Sequence, residues 1–311
     1  LLIVNPAAGG GRAARALDRV LEALREWGAF EIAVTRAGEQ RPAQQLARDA
    51  VAAGVQRIVV LGGDGTASQA LNGIYAAGGR DALASVAFAV IPAGTGRDFA
   101  RTAGLPRKPE KAARRIARDS STQRIDVGSV VLADGSEHLY LNVASFGVSA
   151  RIAHALEEYP ELKRRAGALA FGLATVRAGL GYSPDLVDLR VDDGEVQGGA
   201  VAAAAMANGA YFGGGMHVAP TARLDDGLLE VIRFGDLARS DFVLSLPRLY
   251  RGTHYSHPKV RVAQGRTVVA RPAGGPSARH IEIEADGEVI GALPATFSVY
   301  PAALALVRGN R

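Results

Sequence analysis

The stretch RIVVLGGDGTAS (57–68) joins an apolar strand pattern to a glycine-rich turn and to the start of a helix. Glycine tolerates positive φ and lets another molecule approach the backbone, and here three glycines surround one carboxylate, Asp64. A plain turn between a strand and a helix needs only one or two glycines. The stretch therefore indicates either a tight turn with Thr66 opening the helix, or a nucleotide phosphate site with a metal-binding or proton-handling aspartate.

Apolar strand patterns and helical patterns alternate through the first third of the chain. The predicted strands are 1–5, 30–35, 57–61 and 85–91, and the predicted helices are 13–27, 42–54, 66–77 and 109–117. Such alternation predicts a parallel sheet that is covered on both faces and binds ligands at the carboxyl ends of its strands. Three glycine-rich loops follow strands at that edge: VNPAAGGG (4–11), LGGDGT (61–66) and IPAGTGRD (91–98). Their meeting favours a binding site over three unrelated turns.

After about residue 123 the pattern changes to short strands separated by turns. The turn signals are Asp134-Gly135, Asp193-Gly194, Asp226-Gly227 and Asp286-Gly287. The predicted strands include 186–191, 201–208, 228–234, 259–263, 267–271 and 280–285, and helical pieces are predicted at 149–158 and 161–180. The predicted fold class is α/β plus all-β. It comprises an α/β domain over 1–123, an antiparallel β-sandwich with inserted helices over 124–292, and a tail over 293–311 that completes the second domain or returns to the first.

The amino-acid composition excludes several kinds of site and partner. The 311 residues contain no Cys, which excludes disulfides, thiolate zinc sites and a Cys nucleophile, and a cytoplasmic location is expected. No apolar run reaches the roughly 20 residues of a transmembrane helix, so no transmembrane segment is expected. The net charge of +5 favours anionic partners such as phosphates or acidic lipid surfaces. Nucleic acid is not an expected partner, because no aromatic-rich basic patch is present.

Several common catalytic motifs are absent from the sequence. It lacks G-x-x-x-x-G-K-[ST], a G-x-G-x-x-G after the first strand, and G-x-S-x-G. The remaining candidates from residue chemistry are Asn5 and Arg12 in the first loop, Asp64 in the second, and polar side chains in GTGRDFAR (94–101). Backbone N–H groups at a helix start, with an arginine nearby, suit phosphate binding. The predicted β domain adds the stretches 208–231 and 285–288.

The motifs of this chain, taken in sequence order, resemble those of the bacterial lipid kinases of the diacylglycerol kinase family. That family is related to sphingosine and ceramide kinases. The resemblance covers nearly the whole chain and rests on NPAAGG, GGDGT, PAGTGRDFAR, NVASFG, ANGAYFGGGMHVAPTARLDDGLLEV and IEADGE. GGDGT alone is shared with NAD kinases, whereas its combination with GGG…AP…DDG is specific. The resemblance implies an NAD kinase-like ATP-binding α/β domain, a C-terminal β-sandwich, and an active site in the cleft between them.

The resemblance also implies roles for individual residues. The nucleotide-binding positions would be Asn5, Pro6, Ala7, Ala8, Gly9, Thr35, Gly62, Gly63, Asp64, Gly65, Thr66 and Thr95. Polar groups of the active site would be Asp98 and Arg101, with Arg12 added from its place at the first loop. Glu288 would be the proton acceptor, although residue chemistry leaves Asp64 open as the base. Asp226, with the carbonyl oxygens of Arg223 and Leu228, would hold a structural Mg²⁺. One departure is Arg97, because the family usually has Asn in G-T-x-N-D, and Arg97 would either change the role of that Asn or supply charge for a phosphate.

The expected activity is ATP- and Mg²⁺-dependent phosphorylation of a hydroxyl on diacylglycerol or a related lipid. Two alternatives are an NAD kinase-like transferase acting on a soluble hydroxyl, and a catalytically silent ATP- or lipid-binding regulatory protein. The lipid would be reached by peripheral association with a membrane surface, and exposed strand edges are compatible with a homodimer. The stretch 161–182 would either rest on that surface or pack on the sandwich. An apolar groove is expected near Phe146, Tyr211 and Phe212.

Overall fold

The computed structural model describes residues 1–28, 30–36, 38–40, 42–152, 183–237, 246–274 and 280–309. The chain forms two compact units. The first comprises Leu1–Asp126 and Pro301–Arg311, and the second comprises Val127–Tyr300. Within the described ranges, no helix combines the length and the apolar character that crossing a membrane requires.

Helices alternate with strands in the first part of the chain and give way to strands later. The strands are β1 (Leu2–Val4), β2 (Ile32–Val34), β3 (Arg57–Gly62), β4 (Ala87–Pro92), β5 (Thr122–Leu132), β6 (Glu137–Tyr140), β7 (Val143–Gly147), β8 (Asp185–Val191), β9 (Ala200–Val201), β10 (Ala203–Ala207), β11 (Leu229–Phe234), β12 (Val260–Gly265), β13 (Thr267–Pro272), β14 (Glu282–Ala285), β15 (Glu288–Ala292) and β16 (Ala295–Val307). The α-helices are α1 (Ala8–Leu24), α2 (Pro42–Ala52), α3 (Asp64–Ser85), α4 (Asp98–Thr102) and α5 (Pro109–Arg118). Short 3-10 turns lie at Arg25–Trp27 and His254–Ser256, and further helical residues lie at 148–152 and 246–251.

The first unit contains a parallel sheet in the order β2, β1, β3, β4 and the end of β16. Helices α1 and α5 pack on one face, where they bury alternate strand residues such as Leu2 and Val4. The intervening Ile3 is also fully buried, so the opposite face of the sheet is covered as well. Helices α2 and α3 pack closely, since a Cβ on Gly73 would lie 2.2 Å from the Gln44 carbonyl oxygen. Continuous apolar strands are the expected sequence of a sheet buried on both faces.

The second unit is an antiparallel sandwich. One sheet has the order β12, β11, β10, β7, β14 and β15. The other contains β9, β8, β13 and residues 295–298 of β16, and β5 pairs with β6 in an antiparallel hairpin. Apolar residues from the two layers form one core, in which the Phe146 and Phe297 ring centroids lie 6.3 Å apart. The predicted fold class, an α/β unit followed by an antiparallel sandwich, is confirmed.

One local prediction needs correction, and two predicted helices match the regular parts of longer elements. The left-handed Gly9–Gly11 precede the regular part of α1, which agrees with the helix predicted from 13, and the kink at Gly78 and Gly79 in α3 follows the helix predicted over 66–77. The predicted strand 201–208 is divided at Ala202, because β9 pairs with β8 whereas β10 pairs with β7 in the other sheet. The predicted helices at 149–158 and 161–180 fall almost wholly outside the described residues.

Candidate active site

The first glycine loop turns left-handed before α1 becomes regular. Gly9, Gly10 and Gly11 have φ values of 61°, 68° and 82°, a conformation that side chains with a Cβ rarely adopt. A Cβ on Gly9 would lie 2.1 Å from the Ala93 carbonyl oxygen. Glycine is therefore required here both by the backbone conformation and by the close approach of the third loop.

The three glycine loops are joined by direct hydrogen bonds. The Asn5 side chain donates to Thr66 Oγ1 at 3.0 Å, which links the first loop to the second. The Gly62 carbonyl oxygen accepts the N–H groups of Ala93 at 2.7 Å and Gly94 at 3.1 Å, which links the second loop to the third. The backbones nearly touch, because a Cβ on Gly94 would lie 2.5 Å from the Gly63 Cα. The carboxyl ends of β1, β3 and β4 thus carry one continuous loop cluster.

Asp64 holds the third loop in place. Its Oδ2 accepts the Asp98 N–H and its Oδ1 accepts the Phe99 N–H, each at 3.1 Å. These donors belong to the first turn of α4, whose N–H groups have no partner within the helix. Burial raises the pKa of Asp64, while the N–H bonds from Phe99, Asp98 and Arg97 and the charge of Arg101 oppose that rise. Asp64 is therefore a carboxylate already engaged with the protein backbone.

Basic side chains surround this loop cluster. Arg12 Nη1 donates to the carbonyl oxygens of Ala93 at 3.2 Å and Gly94 at 2.8 Å. Arg101 Nη1 donates to Asp98 Oδ1 at 3.0 Å, and the Asp98 side chain is only 7% exposed. The cluster combines glycine backbone, a helix start and arginine side chains, which together can bind phosphate groups.

The structure brings together most of the residues that the sequence assigns to nucleotide binding, together with those assigned as polar groups of the active site. Those within the first unit's loop cluster are Asn5, Pro6, Ala7, Ala8, Gly9, Arg12, Gly62, Gly63, Asp64, Gly65, Thr66, Thr95, Asp98 and Arg101. Thr35 follows β2 and donates its N–H to the Val4 carbonyl oxygen at 2.9 Å, beside the start of the first loop. Glu288, Arg223, Asp226 and Leu228 belong to the second unit.

In the second unit, Asp286 and Gly287 form the tight turn between β14 and β15. Both have positive φ, 48° and 86°, as a two-residue hairpin loop of type I′ requires. The Asp286 carboxylate accepts the N–H groups of Leu141 at 2.7 Å, Asn142 at 2.9 Å and Val143 at 3.3 Å. Glu288 is the first residue of β15 and is half-buried. The turn that carries Glu288 is thereby fixed to the backbone at the start of β7.

Two family models match the chain. The diacylglycerol kinase catalytic domain matches residues 1–130, and the YegS C-terminal NAD kinase beta sandwich-like domain matches residues 142–308. The chain belongs to the diacylglycerol kinase family. It is an enzyme of the kinase class, and the family recognised from the sequence motifs is confirmed.

Individual relatives of this kinase match over nearly its full length. It is 29% identical to a Mycobacterium tuberculosis (strain H37Rv) protein named "Diacylglycerol kinase", over 98% of this chain and 94% of the relative. It is 30% identical to a Pseudomonas aeruginosa (strain PAO1) protein named "Probable lipid kinase YegS-like", over 98% and 92%. The crystal structure of a diacylglycerol kinase from Bacillus anthracis str. Sterne superposes with a TM-score of 0.72 at 22% identity, covering 99% of this chain and 96% of that one. The structural likeness supports the fold.

The turn at Asp225-Asp226-Gly227 offers oxygen ligands to a cation. Asp226 Oδ1 accepts the Leu228 N–H at 3.0 Å, and Arg223 pairs with Asp225 at the surface at 3.1 Å. One carboxylate and the carbonyl oxygens of Arg223 and Leu228 are the ligand type that Mg²⁺ prefers. Among the described residues, no group of three or more His, Cys, Asp or Glu side chains is placed to hold a metal. An ion here would therefore depend on main-chain carbonyls.

The three aromatic residues near which an apolar groove is predicted differ in burial. Phe146 is 1% exposed and packs in the sandwich core of the kinase, because it lies on the inward face of β7. Tyr211 stacks on His217 with a centroid distance of 4.4 Å, and Phe212 packs at the edge of a smaller core cluster. Phe146 is therefore a core residue of the sandwich, and the groove itself stays a prediction.

Sequence reasoning missed two features of the kinase. Asp286 was expected only to form a hairpin turn, yet its carboxylate binds three amides more than 140 residues away along the chain. For Arg97 the sequence leaves open a changed role or a supply of phosphate charge, and it does not predict that the side chain donates to the Gly94 and Arg107 carbonyl oxygens. A pattern of residues along the chain gives no signal for the first. The unusual Arg in place of Asn was a signal for the second.

Proposed function

We propose that this kinase transfers the γ-phosphate of ATP, with Mg²⁺, to a hydroxyl of diacylglycerol or a related lipid at a membrane surface. The observation that carries the proposal is the hydrogen-bonded cluster of three glycine loops at the carboxyl ends of β1, β3 and β4. Phosphoryl transfer needs positioning and charge neutralisation more than covalent help. The names of the relatives from M. tuberculosis and P. aeruginosa support a lipid as acceptor.

The loop cluster would bind the nucleotide phosphates. The left-handed run Gly9–Gly11 leads into α1 at this cluster, and Arg12 follows it and donates to the Gly94 carbonyl oxygen. Backbone N–H groups and a guanidinium neutralise phosphate charge without being consumed in the reaction. Mg²⁺, when bound, would supply further neutralisation of the phosphate oxygens.

Glu288 is the better candidate for the proton acceptor. Both oxygens of Asp64 already accept backbone N–H bonds, and taking a proton from a lipid hydroxyl would weaken them. Glu288 lies at the end of a hairpin that Asp286 fixes, so its backbone position is well defined. A base must be held within hydrogen-bond reach of the hydroxyl whose proton it accepts. In this proposal Asp64 positions the third loop, and Glu288 accepts the proton.

The proposal can be tested by measuring transfer of label from γ-labelled ATP to lipids in mixed micelles with Mg²⁺. Diacylglycerol, phosphatidylglycerol, a sphingoid base and NAD would be offered separately. Glu288→Gln should lower kcat by about 10²- to 10⁴-fold while ATP still binds, as expected for loss of a general base. Glu282→Gln is the matched control, because Glu282 pairs with Ala292 at the other end of the same hairpin. It should keep near wild-type activity.

Each acceptor gives a distinct result. Label in one lipid class, lost in Glu288→Gln and kept in Glu282→Gln, would support the proposal and name the substrate. Label in NAD alone would replace it with a transferase acting on a soluble hydroxyl. ATP binding without transfer to any acceptor would indicate a regulatory binding protein.

A further inference from the structure

Two arginine side chains converge on a single carbonyl oxygen in the third glycine loop. Arg12 Nη1 donates to the Gly94 oxygen at 2.8 Å, and Arg97 Nε donates to the same oxygen at 3.0 Å. Arg97 Nη1 also donates to the Arg107 carbonyl oxygen at 3.1 Å, which fixes the plane of its guanidinium. Two positively charged groups are thus held side by side.

No ion pair within the described part of the chain neutralises these two guanidinium groups, and the charge of Asp64 compensates that of Arg97 only in part. Neither Arg12 nor Arg97 forms an ion pair with a described carboxylate, whereas the neighbouring Arg101 pairs with Asp98. Burial, followed by the charges of Arg12, Arg107 and Arg101, lowers the pKa of Arg97, and the charge of Asp64 opposes this only partly. Holding like charges together is unfavourable unless an anion compensates for them.

The backbone conformation of Arg97 is a second, independent indication that this residue has a functional role. Arg97 has φ 57° and ψ 38°, the left-handed conformation that Asn adopts more readily than Arg. A residue held in a sparsely populated conformation motivates a search for function at that position. The sequence therefore places a strained, like-charged residue where a smaller neutral one would fit the backbone better.

We propose that Arg12 and Arg97 act as a two-guanidinium clamp that binds a phosphate group beside the third glycine loop. The N–H groups not used on Gly94 and Arg107 would donate to the phosphate oxygens, since a guanidinium presents five donors in a planar fork. The inference rests on the proposed function, which supplies two sources of phosphate: the nucleotide, or the headgroup of a phosphate-bearing lipid. Arg97 is the residue that sets this site apart from the usual G-T-x-N-D motif.

The clamp can be tested without kinase activity, using inorganic pyrophosphate as the probe in isothermal titration calorimetry. Arg97→Asn keeps a residue that tolerates the left-handed backbone, so the variant should fold and retain the wild-type circular dichroism spectrum. Its affinity for pyrophosphate should fall by about 10- to 100-fold, the range for losing charged hydrogen bonds. Arg97→Lys keeps the charge but loses the planar fork of donors. Its affinity for pyrophosphate should lie between those of wild type and Arg97→Asn.

Arg107→Asn is the matched control. It removes one nearby positive charge from an exposed side chain but leaves the main-chain carbonyl that Arg97 uses. The clamp predicts less than about a 3-fold change in this variant, since an exposed charge in high-dielectric solvent contributes little to an ion pair. Equal losses in Arg97→Asn and Arg107→Asn would overturn the clamp in favour of diffuse charge attraction. Unchanged pyrophosphate affinity in Arg97→Asn would overturn it as well.

The source of the phosphate follows from two further titrations of wild type and Arg97→Asn. A loss of ATP affinity in Arg97→Asn assigns the clamp to the nucleotide. A loss confined to phosphatidylglycerol vesicles, compared with neutral diacylglycerol in phosphatidylcholine vesicles, assigns it to the lipid headgroup. If pyrophosphate binding depends on Arg97 while no lipid is phosphorylated, the clamp stands and the proposed lipid kinase activity fails.

Discussion

Asp64 in the first unit and Asp286 in the second are both followed by glycine, and both bind backbone amides far along the chain. Asp64 accepts two N–H groups, from Asp98 and Phe99, and lies in the first turn of α3. Asp286 accepts three, from Leu141, Asn142 and Val143, and lies in a left-handed turn position. The comparison shows that an Asp-Gly pair in a motif can serve to join two loops.

The two carboxylates differ in how much their negative charge contributes to the stability of the folded protein. Burial raises the pKa of Asp64, so its ionised form is held at a cost that the N–H bonds only partly offset. Asp286 accepts one more N–H group than Asp64 does. It also forms part of the hairpin turn, in which its φ is 48°. Loss of the charge should therefore be more damaging at Asp286 than at Asp64.

The largest effect is expected for Asp286→Asn. Asn tolerates the left-handed turn, but its amide group turns an NH₂ toward at least one of the N–H groups from 141–143. The expected loss is about 2–3 kcal/mol in the free energy of unfolding, the cost of leaving a buried donor without an acceptor. Urea denaturation would measure it. Hydrogen exchange should speed up selectively at the amides of 141–143, and a uniform increase across the sandwich would contradict the local clamp.

A smaller loss, below about 1 kcal/mol, is expected for Asp64→Asn. One N–H of α4 loses its acceptor, but the cost of burying a charge is relieved at the same time. Hydrogen exchange at the amides of Asp98 and Phe99 is the local readout, with the amides of 141–143 as the internal reference. If Asp64→Asn destabilises the protein more than Asp286→Asn, the ranking of the two clamps is wrong.

The pH dependence sharpens the same comparison. The folded pKa of Asp64 is raised above its ordinary value of 3.8, so the folded state binds the proton more tightly than the unfolded state. The stability that this group contributes is therefore fully present below about 3.8 and is lost as the pH rises through the folded pKa. The stability of wild type relative to Asp64→Asn should decline over that window. A rise over the same window would show that the pKa is lowered instead.

The sequence predicted the α/β order and the meeting of three loops because strand periodicity and glycine runs are local signals. It predicted Asn5, Gly9 and Thr66 as neighbours from the rule that parallel strands end at one edge. The amide partners of Asp64 and Asp286 were not predictable in this way. They are set by loops that are 34 and about 144 residues distant, and only folding brings these loops together.

The smallest effects are expected at Asp226 and Asp134, whose carboxylates bind their own turns. Asp226 Oδ1 accepts the Leu228 N–H at 3.0 Å, and Asp134 Oδ1 accepts the Ser136 N–H at 2.9 Å. Asn keeps this Oδ1 acceptor, so both Asp→Asn variants should melt close to wild type in the presence of EDTA. A structural Mg²⁺ would distinguish the two variants. An ion that binds only the folded state raises the melting temperature as the ion concentration increases. Asp226→Asn should then lose most of the Mg²⁺-dependent rise, whereas Asp134→Asn should keep it. If Mg²⁺ raised the melting temperature of both variants equally, Asp226 would not be a metal ligand. Its carboxylate would then only stabilise a turn, as that of Asp134 does.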